Sequence, residues 1–156
     1  MIYLVLHDIR SAYNVGSIFR TADAAGVSKV YLTGITPTPI DRFGRKRKDF
    51  QKTALGAEET VVWEYAPTAS HFIQKLKDEK VYIVGVEQAP YAISYTKISP
   101  KKKGGTAFVF GNEVKGLFAS ILKQCDVVAE IPMRGEKESL NVAVSVGVVL
   151  FRILDI

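Results

Sequence analysis

The chain has 156 residues, 47% hydrophobic and 24% charged, and its 21 basic against 16 acidic side chains give a formal net charge of +5. Those proportions exclude a disordered, collagenous or disulfide-scaffold protein, and a chain of this size buries enough surface to fold without covalent staples. One cysteine, Cys125, and two histidines, His7 and His71, leave no internal disulfide and no ligand set for zinc, so no metal is expected.

The opening stretch MIYLVLHDIR lacks a basic leader, and its apolar run is too short for a signal peptide or a span. No membrane partner is expected, and a cytoplasmic address follows by default. Ile2–His7 reads as the first strand. In the segment NVGSIFRTADAAG that follows, Val15, Ile18, Phe19 and Ala22 keep helical spacing, and Gly26 suits the left-handed residue that ends a helix. Asn14 stands at the helix entrance, Gly16 permits close backbone approach, and Arg20 needs an anion, a carboxylate or solvent. A second strand is expected at Lys29–Gly34.

From Ile35 to Ala57 the pattern is irregular, and loops this long usually carry function or are disordered. This one holds a basic run, Arg42, Arg45, Lys46, Arg47 and Lys48. Charge of one sign this dense suits a nucleic-acid partner, the alternative being a solvated mobile loop. Phe43 and Phe50 beside it could stack on an unpaired base or be buried beneath the loop.

Strands are expected at Thr60–Tyr65 and Val81–Glu87, with an amphipathic helix between them bearing Ala69, Phe72, Ile73 and Leu76 on one stripe. Lys101, Lys102 and Lys103 form a second basic cluster before a fifth strand, Thr106–Gly111. The turn FGNEVKGL closes that strand. Gly111 and Gly116 have phosphate-loop spacing, but Leu117 and Phe118 stand where Lys and Ser or Thr are required, so a Walker nucleotidase is rejected. No GxGxxG follows any strand. What remains is a glycine-lined turn presenting Glu113.

After a short helix in LFASILKQC and a sixth strand, Asp126–Pro132, comes the polar loop IPMRGEKESLN. A helix is expected from Leu140 to Leu154, N-capped by Ser139 and buried on most sides. Continuous apolar strands alternating with helices predict an α/β fold with a mainly parallel sheet flanked by helices, its sites lying beyond the strand carboxyl ends. No repeat or linker divides residues 1–156, which are read as a single domain.

Three segments, NVGSIFRTADAAG, FVFGNEVKGL and IPMRGEKESLNVAVSVGVVL, resemble motifs one, two and three of the SpoU (TrmH-type) RNA 2′-O-ribose methyltransferases of the SPOUT superfamily. They stand in the family's order and span Asn14 to Leu150. The resemblance implies a carboxyl-terminal deep trefoil knot, S-adenosyl-L-methionine as methyl donor, a homodimer, and tRNA or rRNA as substrate. It also implies a cofactor pocket including Val86, Glu87, Gly111, Ile131, Met133, Ser139 and Leu140. The catalytic set it implies is Arg20 with Asn14, Glu113, Ser139 and Asn141, and RNA would meet Arg42–Lys48 and also Lys101–Lys103. A non-catalytic RNA-binding module of the same fold is the alternative, which retention of these motif residues disfavours.

Overall fold

The computed structural model describes residues 1–156. Its strands are β1 (Ile2–His7), β2 (Lys29–Thr33), β3 (Trp63–Ala66), β4 (Tyr82–Val86), β5 (Ile93–Ser94), β6 (Thr106–Phe110) and β7 (Val127–Glu130). They form one seven-stranded sheet in the order β3-β2-β1-β6-β4-β7-β5, and every pairing is parallel. Parallel neighbours demand crossovers on the faces, so both faces must be covered. This is why the central strand β6 is buried along its whole length.

The helices are α1 (Ala12–Ala24), α2 (Lys48–Ala54), α3 (Ala57–Thr60), α4 (Ala69–Asp78), α5 (Ala119–Leu122) and α6 (Val142–Leu154), with a 3-10 turn at Tyr95–Lys97. Strand alternation sorts them into two layers. Leu4 and Leu6 of β1 join Phe19, Phe50, Val146 and Leu150 in the core beneath α1, α2 and α6. Tyr3 and Val5 point the other way and join Phe72, Ile73 and Ile121 from α4 and α5. No helix is long and apolar enough to cross a membrane.

Four elements differ from the sequence expectation. The irregular stretch Ile35–Ala57 contains α2, because Phe50 and Ala54 seat on α1; a Cβ on Gly16 would lie 2.4 Å from the Phe50 carbonyl. Phe50 is therefore wholly buried, edge-on to Phe19 at 5.0 Å, and is not free to stack on a base. The third strand starts later than expected, at Trp63, since α3 takes up Thr60. The two-residue β5 is too short to leave an apolar run.

The last helix begins at Val142, and its N-cap is Asn141 rather than Ser139. The Asn141 side chain accepts from the backbone N–H groups of Ala143 and Val144, which Ser139, three residues before the helix, cannot reach. Nor is α6 enclosed on most sides within one chain, because Val144 is 51% and Phe151 39% exposed.

Removing the Phe50 ring should open a cavity between α1 and α2. Phe50→Ala is expected to lower stability by about 3–5 kcal/mol, measured by urea unfolding; a loss below about 1 kcal/mol would contradict this packing.

Candidate functional site

At the carboxyl ends of β4, β6 and β7, three chain segments enclose a cavity of about 330 Å³. Val86, Glu87 and Gln88 follow β4; Gly111 to Gly116 follow β6; Ile131, Met133, Glu138, Ser139, Leu140 and Val142 follow β7. The seven residues expected to form a pocket, Val86, Glu87, Gly111, Ile131, Met133, Ser139 and Leu140, all line this one space. Val86, Phe110, Ile131, Met133, Leu140 and Val142 provide apolar wall, and Glu87, Asn112 and Ser139 provide polar rim. An apolar slot with a few polar groups is the ordinary form of a small-molecule site.

The second loop is shaped by contact with its neighbours. Gly116 takes φ +64, and a Cβ on it would fall 2.1 Å from Glu87 Oε2. Glu87 Oε2 accepts from the Leu117 N–H at 2.8 Å and Oε1 from the Gln88 N–H at 2.8 Å. Gly111 is confined as well, since its Cβ would stand 2.5 Å from the Gly116 carbonyl. The Glu87 carboxylate thus braces the loop while also facing the cavity.

Glu113 joins the three motif segments. Its oxygens accept from the backbone N–H groups of Arg10, at 3.2 and 3.0 Å, and of Ser11, at 3.2 Å. Asn14 Nδ2 donates to Glu113 Oε1 at 3.1 Å, and Asn141 Nδ2 donates to Asn14 Oδ1 at 3.1 Å. Partial burial works against ionisation of Glu113, yet the N–H groups of Arg10, of its own residue and of Ser11, with the Asn14 amide, outweigh it and hold the carboxyl below its usual range.

Not every expected site residue meets the cavity. Glu113 and Ser139 line it; Asn14 and Asn141 stand behind Glu113 and do not. Arg20 is exposed, forms no ion pair and does not line the cavity of its own chain. It follows Asn14 on α1 by six residues, about 9 Å along the axis.

Two contributors lay outside the seven residues named for the pocket. Asn112 Oδ1 accepts from the N–H groups of Val114 and Lys115 at 2.9 and 2.8 Å, while its Nδ2 donates to the Asp8 carbonyl at 2.8 Å. An asparagine just past a strand, ahead of a turn, is the signal that marks such a loop. Gln88 Nε2 donates to the Glu138 carbonyl at 2.6 Å and ties the third loop to β4; nothing in its sequence context points to that. Cys125 is no nucleophile, since burial pushes its thiol up to about 11. No cluster of His, Cys, Asp or Glu forms a metal cage.

The basic run lies in the connection between β2 and α2. It is an ordered turn, closed by backbone bonds from Asp41 to Arg45 and from Arg47 to Pro39. Arg45 pairs with Asp41 at 2.9 Å, Arg47 with Asp49 at 3.0 Å, and Lys46 with Glu59. Arg42 and Lys48 have no carboxylate partner. The guanidinium carbons of Arg42 and Arg45 sit 4.7 and 4.9 Å from the Phe43 ring centroid, in cation–π contact with it. Lys101–Lys103 lie before β6, at the end of the sheet away from the cavity.

Residues 1–151 match the model of the SpoU rRNA Methylase family. Over 151 residues, 97% of its length, the chain is 33% identical to the 23S rRNA (guanosine-2′-O-)-methyltransferase RlmB of Pseudomonas aeruginosa. It spans only 57% of that relative. An AdoMet-bound rRNA methyltransferase from Sinorhizobium meliloti superposes with a TM-score of 0.87 at 30% identity, over 97% of this chain and 55% of the other. A TrmH/SpoU tRNA modifying enzyme from A. aeolicus gives 0.83 at 25%, over 99% and 74%.

Glu113 supplies a pH test. Because its folded pKa is depressed, its contribution to stability is present above the unfolded value, about 4.3, and is lost as pH falls through the folded one. Glu113→Gln should therefore lower the melting temperature at neutral pH, and the difference from the native chain should shrink on acidification. A difference constant from neutral to acid pH would show that the carboxylate charge plays no part.

Proposed function

This chain belongs to the SpoU rRNA Methylase family, and on that premise we propose that it transfers a methyl group from S-adenosyl-L-methionine to a ribose 2′-hydroxyl of tRNA or rRNA. The observation that carries the reading is the cavity itself, where all seven residues named for the cofactor line one space. The donor set fits an adenosyl sulfonium. Apolar walls from Val86, Ile131, Met133, Leu140 and Val142 suit a heterocycle and thioether-like chain, and Glu87 and Ser139 suit hydroxyl and ammonium groups. Bound there, S-adenosylmethionine would supply an electrophilic methyl group on a cationic sulfur.

The remaining work falls to the chain's own side chains. Glu113 and Asn112 hold the β6 loop against β1, and Asn14 and Asn141 lock the entrances of α1 and α6 to the same carboxylate. Fixing loops in this way keeps two reactants in attack geometry without reorganisation at the moment of transfer. Ser139 offers a hydroxyl at the cavity rim. A guanidinium offers hydrogen-bond donors and no acceptor, so the part proposed for Arg20 is to stabilise the alkoxide that develops on the 2′-oxygen rather than to remove the proton.

Within one chain Arg20 is away from the cavity, and a homodimer is the arrangement that would bring it to a partner's cavity. In support, α6 packs on α1, and Val144, Phe151 and Tyr13 leave apolar surface on these two helices. The carboxyl-terminal knot belongs to the proposal as well. In support, β7 is inserted between β4 and β5 although the chain passes through β5 and β6 first, and α6 returns to pack on the 3-10 turn of that earlier segment. Residues 1–156 would then form one SpoU-type methyltransferase domain. RNA phosphates would meet Arg42, Arg45, Lys46, Arg47 and Lys48, with Arg42 and Lys48 contributing most because the other three are internally paired.

Incubation with RNA and methyl-labelled S-adenosylmethionine, followed by nucleoside digestion, tests the activity. Label on ribose is the expected result; cofactor binding without transfer to any RNA would identify a non-catalytic RNA-binding module instead. Arg20→Ala should keep cofactor affinity within a factor of about two and lower turnover by about 100-fold or more, the scale of losing one electrostatic stabiliser. Parallel loss of cofactor binding and turnover would refute the role given to Arg20.

A further inference from the structure

Lys77, Lys80, Lys101, Lys102 and Lys103 gather at the end of the sheet away from the cavity, and none of them enters an ion pair. Lys77 lies in the last turn of α4, Lys80 in the turn before β4, and Lys101–Lys103 in the turn before β6, whose strand starts are adjacent. Lys77, Lys80 and Lys101 line a second cleft of about 400 Å³ with Val81, Tyr82 and Asp126. The one carboxylate there is already engaged, as Asp126 Oδ2 accepts from the Ile83 N–H at 2.7 Å.

Backbone, not acidic side chains, holds these ammonium groups together. Gly104 adopts φ +80, and a Cβ on it would fall 2.2 Å from the Lys80 carbonyl, so the Lys101–Gly105 turn presses directly on the turn carrying Lys80. The Gly105 carbonyl accepts from the Tyr82 N–H at 3.1 Å, and the Lys101 N–H donates to Thr106 Oγ1 at 2.8 Å. Lys101 Nζ stands 5.0 Å from the Tyr82 ring centroid. Like charges fixed this way repel one another, and a polyanion relieves the repulsion. The basic run after β2 behaves differently, since three of its five cations are neutralised within the chain.

We infer that the cleft between α4, β4 and the Lys101–Gly105 turn is a docking surface for the phosphodiester backbone of RNA, distinct from the cavity proposed for the methyl donor. This rests on the reading of the chain as an RNA methyltransferase. Two features select a chain of phosphates over a single small anion. The ammonium groups spread along a cleft and its rim, Lys102 and Lys103 lying outside the lining. Every cation is a lysine, a flexible point charge suited to phosphate and lacking the planar fork that reads a base edge. Such a surface would hold the RNA without regard to sequence and leave selection of the target to the cavity end.

The test compares the native chain with Lys77→Gln/Lys80→Gln/Lys101→Gln/Lys102→Gln/Lys103→Gln and with Lys102→Gln/Lys103→Gln. Affinities for a uniform oligouridylate and for bulk tRNA are measured by fluorescence anisotropy across a salt series. The five-fold variant should weaken both RNAs alike and flatten the log–log salt slope by about 0.7 for each phosphate no longer neutralised. The two-fold variant should fall between, and transfer at saturating RNA and cofactor should be unchanged in both. An unaltered slope and affinity in a native-like, fully active five-fold variant overturns this inference alone. The same follows if only adhesion to phosphatidylglycerol vesicles is lost. A native chain that binds no RNA at any salt overturns the methyltransferase reading with it.

Discussion

The carboxylate of Glu113 is the joint on which the cavity end of this molecule depends. It sits on a loop after β6 and takes hydrogen bonds from Arg10 and Ser11, 103 and 102 residues earlier, and from Asn14. Through Asn14 it reaches Asn141 at the head of α6. A half-buried carboxylate with several N–H donors is strongly held in its charged form. One side chain therefore sets the relative position of three segments that the sequence keeps far apart.

Glycines make that convergence sterically feasible. Gly111 and Gly116 lie so close that a side chain on either would strike backbone or the Glu87 carboxylate, and Gly16 lets α2 lie against α1 under the Phe50 carbonyl. Glu87 turns the tight packing into a directional contact by accepting from the N–H of Leu117. The loop after β6 is thus clamped on two sides, by Glu87 from β4 and by Arg10, Ser11 and Asn14 from the β1–α1 connection. The loop after β7 is tied less firmly, with Gln88 reaching the Glu138 carbonyl from β4. A rigid wall facing a more lightly tethered one suits the proposed exchange of a bulky cofactor.

Much of this was legible in the sequence, and the failures have physical causes. The central strands were readable because burial on both faces leaves an unbroken apolar run, as in TAFVF. The cavity residues were readable through motif resemblance, since no periodicity distinguishes Met133 or Leu140 from ordinary loop residues. The helix α2 was missed because Lys48, Asp49, Gln51 and Lys52 are polar and only Phe50 and Ala54 face inward. The N-cap of α6 was misplaced because Ser139 and Asn141 are both good caps, and only the Asn14 amide beyond the helix favours the asparagine. The ion pairs within the Arg42–Lys48 run were not read, although Asp41 and Asp49 flank it in the sequence; Glu59 comes beside it only in the folded chain.

Charge placement also bears on how Arg20 could act. A guanidinium 4 Å from a developing alkoxide gains about 1 kcal/mol in bulk water but about 4 kcal/mol at an effective dielectric constant near 20. Only the second is a useful share of a catalytic barrier. In a single chain Arg20 is solvated and unpaired, so it sits in the weaker regime. In the proposed homodimer a second copy would cover the apolar surface left by Tyr13, Val144 and Phe151 on the neighbouring parts of α1 and α6. Covering it would exclude water from the same region and move the arginine toward the stronger regime. On this view assembly and electrostatic catalysis are one requirement, since the cation gains its strength from the surface that buries it.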